Sequence, residues 1–180
     1  MPHKRVELMF RGAYELRLSP EGRRKRRQGE IFHLALSFVR DERDRPHLPL
    51  FVRRALALLG EKAPPAEQER LGQHLEAIFD LPEAKLFFSP QAQEVFNERD
   101  ILLPWSEGNK KQVLRPDRVV LFKDRAVVID FKSETELSEE IRAQYHAQVR
   151  HYARLVKRLF SRPTEGYLLF VLGPRAERVV

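Results

Sequence analysis

Two aspartates and a lysine are the residues of this chain best placed to do chemistry. Asp117 closes the run Arg115-Pro116-Asp117, and thirteen residues later comes Asp130-Phe131-Lys132. Between them, the apolar runs Val119-Val120-Leu121-Phe122 and Val127-Val128-Ile129 flank Lys123-Asp124-Arg125, which reads as a strand, a tight connection and a returning strand. With Lys123 and Asp124 as the loop, residue 122 pairs with residue 125, and counting back sets Asp117 opposite Asp130. Like charges across a strand pair are destabilising, and in apolar surroundings neither carboxylate ionises comfortably unless a cation lies between them. Lys132 lies two residues past Asp130, so strand alternation aims both side chains at one face. The hairpin therefore reads as half of a metal site that carries its own lysine.

Several other residues can join it. His33 stands within the apolar run Ile31 to Val39, where a lone histidine is either a core residue or the ligand the hairpin lacks. Glu98 follows Val95-Phe96-Asn97 in a strand-like run, and either projects toward the site or forms the polar half of an alternating strand. Glu134 and Glu136 sit ahead of the long helix, where negative charge suits its N-terminal end. His47, His74, His146 and His151 lie in more polar surroundings and read as solvated. Along the long helix Ile141, Tyr145, Gln148, Tyr152, Leu155 and Leu159 recur at alternating spacings of three and four, with Gln148 the polar intruder. Gln148 and Tyr152 are one turn apart and can reach the same object; the alternative is that Gln148 bonds a backbone carbonyl in the core. Arg150, Arg154, Lys157 and Arg158 form a basic stripe, either a solvated face or a surface beside a polyanion.

The elements that must position these residues change character along the chain. Arg23 to Arg27 are five consecutive cations leading into an apolar helix, and Leu50 to Leu59 and Ala66 to Phe79 read as two more helices, punctuated by Gly60 and Pro64-Pro65. Gln93 to Leu103, Val113 to Phe122 and Ala126 to Lys132 then read as three strands, with Trp105 to Lys111 as a polar turn around Gly108 and Asn109. A helix from about Ser138 to Phe160 precedes a strand from Gly166 to Leu172, which Pro174 ends, and the residues after Leu172 read as a frayed end. This order specifies an α/β sheet with helices packed against it.

Composition narrows the chemistry. Among 180 residues there is no cysteine, which removes disulfides, thiolate zinc sites, iron–sulfur clusters and cysteine nucleophiles together. Any metal must be held by oxygen and imidazole. The net charge of +7 suits a nucleic-acid partner without requiring one. Met1 to Phe10 lacks a signal-peptide apolar core and no run has the length of a membrane span, so the reading is a cytoplasmic protein with no membrane partner.

In this order the residues resemble the PD-(D/E)XK nuclease superfamily, and within it the RecB/AddA-type exonuclease domain of bacterial helicase-nucleases. The matching elements are the helix Gly29-Glu30-Ile31-Phe32-His33, the strand with Glu98, Asp117 in Arg115-Pro116-Asp117, Asp130-Phe131-Lys132, and Gln148 to Tyr152 as Q-x-x-x-Y. The resemblance implies a restriction-endonuclease-like α/β core, a mixed central sheet flanked by helices with an N-terminal helical extension. It implies one nuclease domain over residues 1–180, with residues 1–90 mainly helical and carrying the histidine ligand, and residues 91–173 carrying the catalytic sheet and the long helix. His33, Asp117, Asp130 and the backbone carbonyl of Phe131 would hold Mg2+ or Mn2+. Asp117, Asp130, Lys132 and Glu98 would be catalytic, with Lys132 positioning or polarising the attacking water. Gln148, Tyr152, Arg115, Arg150 and Arg154 would meet DNA, single-stranded or at duplex ends. Arg115 stands where such proteins often have glycine, and either clamps a phosphate or marks a tolerant position.

The chain has no phosphate-binding loop, so a helicase subunit or domain would be a separate partner, and without cysteine it has no iron–sulfur cluster. The resulting expectation is a metal-dependent deoxyribonuclease for DNA end processing or repair. The alternative is a non-catalytic DNA-binding or scaffolding module of a helicase-nuclease assembly, although such a module would be expected to have lost an aspartate or the lysine.

Overall fold

The computed structural model describes residues 19–107 and 110–180. Ser19 starts helix α1 (Pro20–Ser37) by accepting from the Gly22 N–H at 3.1 Å, with proline in the first turn. Its first turns, with Arg23 to Lys25, are exposed, Arg27 donates to Leu59 O at 3.1 Å, and its second half buries Gly29, Ile31, Phe32, Ala35 and Leu36. A 3₁₀ turn (Glu42–His47) leads into α2 (Leu48–Leu58), α3 (Pro65–Phe79) and the short α4 (Ala84–Phe87). Strands β1 (Glu94–Asn97), β2 (Ile101–Glu107), β3 (Lys110–Leu114), β4 (Arg118–Leu121) and β5 (Ala126–Lys132) follow, then α5 (Glu139–Phe160), β6 (Thr164–Phe170) and β7 (Arg175–Arg178).

The main sheet has five strands in the order β1-β4-β5-β6-β7. Only β5 and β6 pair in parallel, joined by α5 as a crossover, so the sheet is mixed. Alternation sorts its residues onto two faces. Val120, Phe122, Val127, Ile129, Phe131, Leu169 and Val171 pack against α1 to α4, while Val119, Leu121, Ala126 and Val128 face Val156 of α5. Helices thus cover both faces of the sheet, the restriction-endonuclease-like α/β arrangement.

Several expectations are corrected. The span Gln93–Leu103 is two strands, interrupted at Glu98, whose φ of 47° turns the chain out of the sheet. Val113–Phe122 is likewise interrupted at Arg115–Asp117, where Pro116 has no N–H to donate. The expected turn Trp105–Lys111 mostly continues strands β2 and β3, which form a separate two-stranded sheet; Gly108 and Asn109 lie outside the described residues, as does Met1–Phe10. The tail is not frayed: β7 pairs with β6, and Gly166 exchanges backbone hydrogen bonds with Val179 and Val180.

A further correction concerns α5. Its buried seam is Val149, Ala153 and Val156, and Ile141 of the expected stripe is exposed. Helix and sheet approach closely at Gly166, where an added Cβ would fall 2.6 Å from Val149 Cγ1. Small residues therefore face the sheet, and Tyr145, Gln148 and Tyr152 flank the seam.

Candidate active site

The site forms where α1, the end of β1, the start of β4 and the end of β5 meet. Gly29 lets α1 approach the sheet: a Cβ there would sit 2.4 Å from the Cβ of Ser133, the residue after Lys132. One turn on, His33 lies edge-on to Phe131 at 5.4 Å between ring centroids.

The hairpin has the register that a two-residue loop demands. Phe122 N–H donates to Arg125 O at 2.8 Å, and Arg118 pairs with Ile129, so the next step sets Asp117 opposite Asp130. Asp117 Oδ2 accepts from Phe131 N–H at 2.5 Å, and its Oδ1 lies 3.8 Å from His33 Nδ1. Glu98 Oε1 is 3.9 Å from the same nitrogen, brought there by the left-handed backbone at Glu98 and by its N–H donating to Asp117 O at 2.9 Å. One donor atom from each of His33, Glu98 and Asp117 falls within 4.8 Å of the others. Sequence left Glu98 open between two readings, and the structure brings it to the site.

The electrostatics are those of a cluster short of positive charge. Burial, then the charge of Asp130, push Asp117 up to about 7, against the opposing pull of His33 and the Phe131 N–H. Burial works against a charged His33, but Glu98 and the charges of Asp117 and Asp130 outweigh it and hold the imidazole above its ordinary range. Burial also works against the Glu98 carboxylate, yet His33 and Asp117 beside it hold it below the usual range.

Asp130 is nearly fully buried and meets Lys132, with Oδ2 2.6 Å from Nζ. The contact is one of charge: Oδ2 has no donor at hydrogen-bonding angles. Lys132 Nζ also donates to Gln148 Oε1 at 3.3 Å and lies 4.0 Å from the centre of the Tyr145 ring. Gln148 Nε2 in turn donates to Tyr152 OH at 3.1 Å, and burial raises the pKa of that phenol. The Q-x-x-x-Y pair thus rests on Lys132 rather than on a backbone carbonyl.

Other candidates stand further out. Arg115 is exposed and pairs with Asp100 at 3.4 Å, and Arg150 and Arg154 are exposed on α5. Glu134 does not cover the helix start; it accepts from Tyr145 OH at 2.7 Å, while Glu139 and Glu140 occupy the first turn. Two histidines read as solvated are anchored instead. His74 stacks on Phe32 with Nε2 2.7 Å from Val171 O, and His146 Nε2 lies 2.5 Å from Glu177 Oε1.

Tyr145 and Arg118 went unnoticed as parts of the site's frame. Tyr145 looked like any core aromatic on its stripe. Arg118 did carry a signal, a cation opening the buried run Val119-Val120-Leu121. Burial lowers it to about 9, which leaves it charged at neutral pH.

The expected metal set was His33, Asp117, Asp130 and the Phe131 carbonyl. His33, Glu98 and Asp117 converge, and Asp130 turns to Lys132. The cluster fits a divalent cation: its donors are oxygen and imidazole, and burial together with the charge of Asp130 pushes Asp117 up to about 7.

A family model for the PD-(D/E)XK nuclease superfamily matches residues 7–178, and members of that superfamily use divalent metals. A search of curated proteins finds no match to this chain. With a mixed five-stranded sheet, flanking helices and a family match spanning nearly its whole length, the chain belongs to the PD-(D/E)XK nuclease superfamily.

Proposed function

We propose that this protein is a Mg2+- or Mn2+-dependent deoxyribonuclease of the RecB/AddA type, hydrolysing phosphodiester bonds in DNA end processing or repair beside a helicase subunit or domain. The observation that carries the reading is the convergence of His33, Glu98 and Asp117 next to the Asp130–Lys132 pair. His33, Glu98 and Asp117 would hold the cation, with Asp130 and the Phe131 carbonyl completing its shell. When bound, the cation neutralises charge building on the phosphate and favours loss of a proton from the attacking water.

The remaining work falls to side chains. Lys132, restrained by Asp130, Gln148 and the Tyr145 ring, presents its ammonium to orient that water and to offset the negative charge. Tyr152 and Gln148 border the same space and steady the strand. Arg115, Arg150 and Arg154 meet phosphates further along, Arg115 by exchanging Asp100 for the backbone.

The test is a cleavage assay on single-stranded, blunt duplex and circular DNA with each metal. Linear substrates are expected to be cut in Mg2+ or Mn2+ and left intact when a chelator is added. A protein that binds DNA and cuts none of the three in either metal is the non-catalytic module instead.

Cation affinity should depend on pH, because binding displaces protons from Asp117 and His33, both shifted upward. Mn2+ affinity measured by calorimetry is expected to fall roughly tenfold or more from about pH 8 to about pH 6. An affinity that is flat over that interval would remove these two groups from the site.

A further inference from the structure

We propose that Arg118 is a positioning residue that sets the cation affinity of the His33, Glu98 and Asp117 cluster, by joining the three chain segments that carry it. The inference rests on the reading of that cluster as the cation site. The Arg118 side chain is wholly buried. Nη1 donates to Val39 O and to Asn97 Oδ1, each at 2.8 Å, Nη2 to Arg40 O at 2.6 Å, and Nε to Phe87 O at 2.9 Å. Its guanidinium also lies 4.7 Å from the centre of the Phe88 ring.

Every one of these hydrogen bonds goes to a neutral oxygen. A buried cation without a bonded carboxylate is costly, and an apolar side chain would fill the same space without that cost. What the guanidinium supplies is a planar fork that fixes several acceptors at once. Val39 and Arg40 follow the C-terminal end of α1, the helix that carries His33. Asn97 precedes Glu98, and its own Nδ2 donates to Val39 O at 2.8 Å, closing a triangle with Arg118. Arg118 itself follows Asp117. One side chain therefore ties the end of the histidine helix to the residues adjoining both acidic donors, including the left-handed turn at Glu98.

Groups that orient metal ligands without touching the metal typically change affinity by about 10–100-fold when lost. The experiment is calorimetric Mn2+ titration, without DNA, of the parent and of Arg118→Met, Asn97→Ala, the double variant and Asp117→Asn, each alongside its melting temperature. Arg118→Met is expected to weaken Mn2+ binding about tenfold or more, Asn97→Ala by a smaller factor, and the double variant no more than Arg118→Met alone. Should Arg118→Met fail to fold, Asn97→Ala decides. Variants that melt earlier yet bind Mn2+ as the parent does, where Asp117→Asn has lost it, overturn this role alone. A parent that binds no cation, or an Asp117→Asn variant that binds equally well, overturns the cation reading and this inference together.

Discussion

The Lys132→Met variant is expected to cleave DNA about a thousandfold more slowly than the parent while binding Mn2+ at least as tightly, a loss equivalent to about 4 kcal/mol of transition-state stabilisation. Lys132 lies outside the His33, Glu98 and Asp117 cluster, so its removal takes away no cation donor. Three neighbours hold its ammonium: Asp130 at 2.6 Å, Gln148 at 3.3 Å and the face of Tyr145 at 4.0 Å. A charge fixed on three sides costs little reorganisation when negative charge develops beside it, and methionine keeps the length without the charge. The variant should also be less stable without metal. Asp130 would be left buried and unpaired, a loss of about 3 kcal/mol for a pair this enclosed. Added cation should recover part of that stability, which a thermal melt with and without Mn2+ would show. A Lys132→Met protein that cuts as fast as the parent sinks the assignment of Lys132 to the reaction.

The residues that made this site legible in the sequence are those whose spacing is enforced locally. With Lys123 and Asp124 as a two-residue loop, which lacks the favoured Asn-Gly pair, the register that opposes Asp117 and Asp130 follows by counting, and the Phe122–Arg125 hydrogen bond obeys it. Gln148 and Tyr152 are one helical turn apart in any helix, and here they bond each other. Ser138 starts α5 by accepting from Ile141 N–H at 3.3 Å, near where a helix was expected to begin.

What stayed hidden depends on contacts distant in sequence. Strand β5 is buried on both faces from Ala126 to Phe131, so no polar alternation marks which face meets which helix. Helix α5 offers two stripes of helical spacing, Tyr145-Gln148-Tyr152 and Val149-Ala153-Val156. Periodicity cannot choose between them; the close approach of α5 to Gly166 does, by admitting only the smaller side chains. Glu98 looked like a strand residue because nothing in Val95-Phe96-Asn97-Glu98 announces a positive φ. That conformation, which costs a non-glycine residue roughly 1–2 kcal/mol, is held through the adjacent Asn97, whose side chain bonds Val39 and Arg118 in distant segments of the chain. Strand β7 was missed for the same reason, since its pairing with β6 is a tertiary contact.

Asp117→Asn is expected to lose Mn2+ binding and DNA cleavage together, and yet to melt at a higher temperature than the metal-free parent above neutral pH. The first effect follows from removing one of the three converging donors. The second follows from the sign of the Asp117 shift. Its carboxyl titrates near 7 in the folded chain against an ordinary 3.8, so the folded state binds a proton that the unfolded state has released. Stability from this group therefore falls as pH rises from about 4 to about 7, and the full penalty is present above that. His33, also shifted upward, adds to the same slope, since its stabilising charge is lost as pH rises through its folded pKa. Asparagine keeps an oxygen to accept the Phe131 N–H and carries no charge for Asp130 to repel. The gain should be absent at strongly acid pH and amount to about 2 kcal/mol at mildly alkaline pH, where one pKa unit corresponds to about 1.4 kcal/mol and the coupling to His33 returns part of the shift. Saturating Mn2+ should reverse the order, because the cation stabilises only the protein that binds it. Melting curves of both proteins across pH, with and without Mn2+, make the comparison. If the variant is less stable than the metal-free parent at every pH, Asp117 is not the electrostatically strained member of this site, and the positive charge that the cluster lacks must be wanted elsewhere.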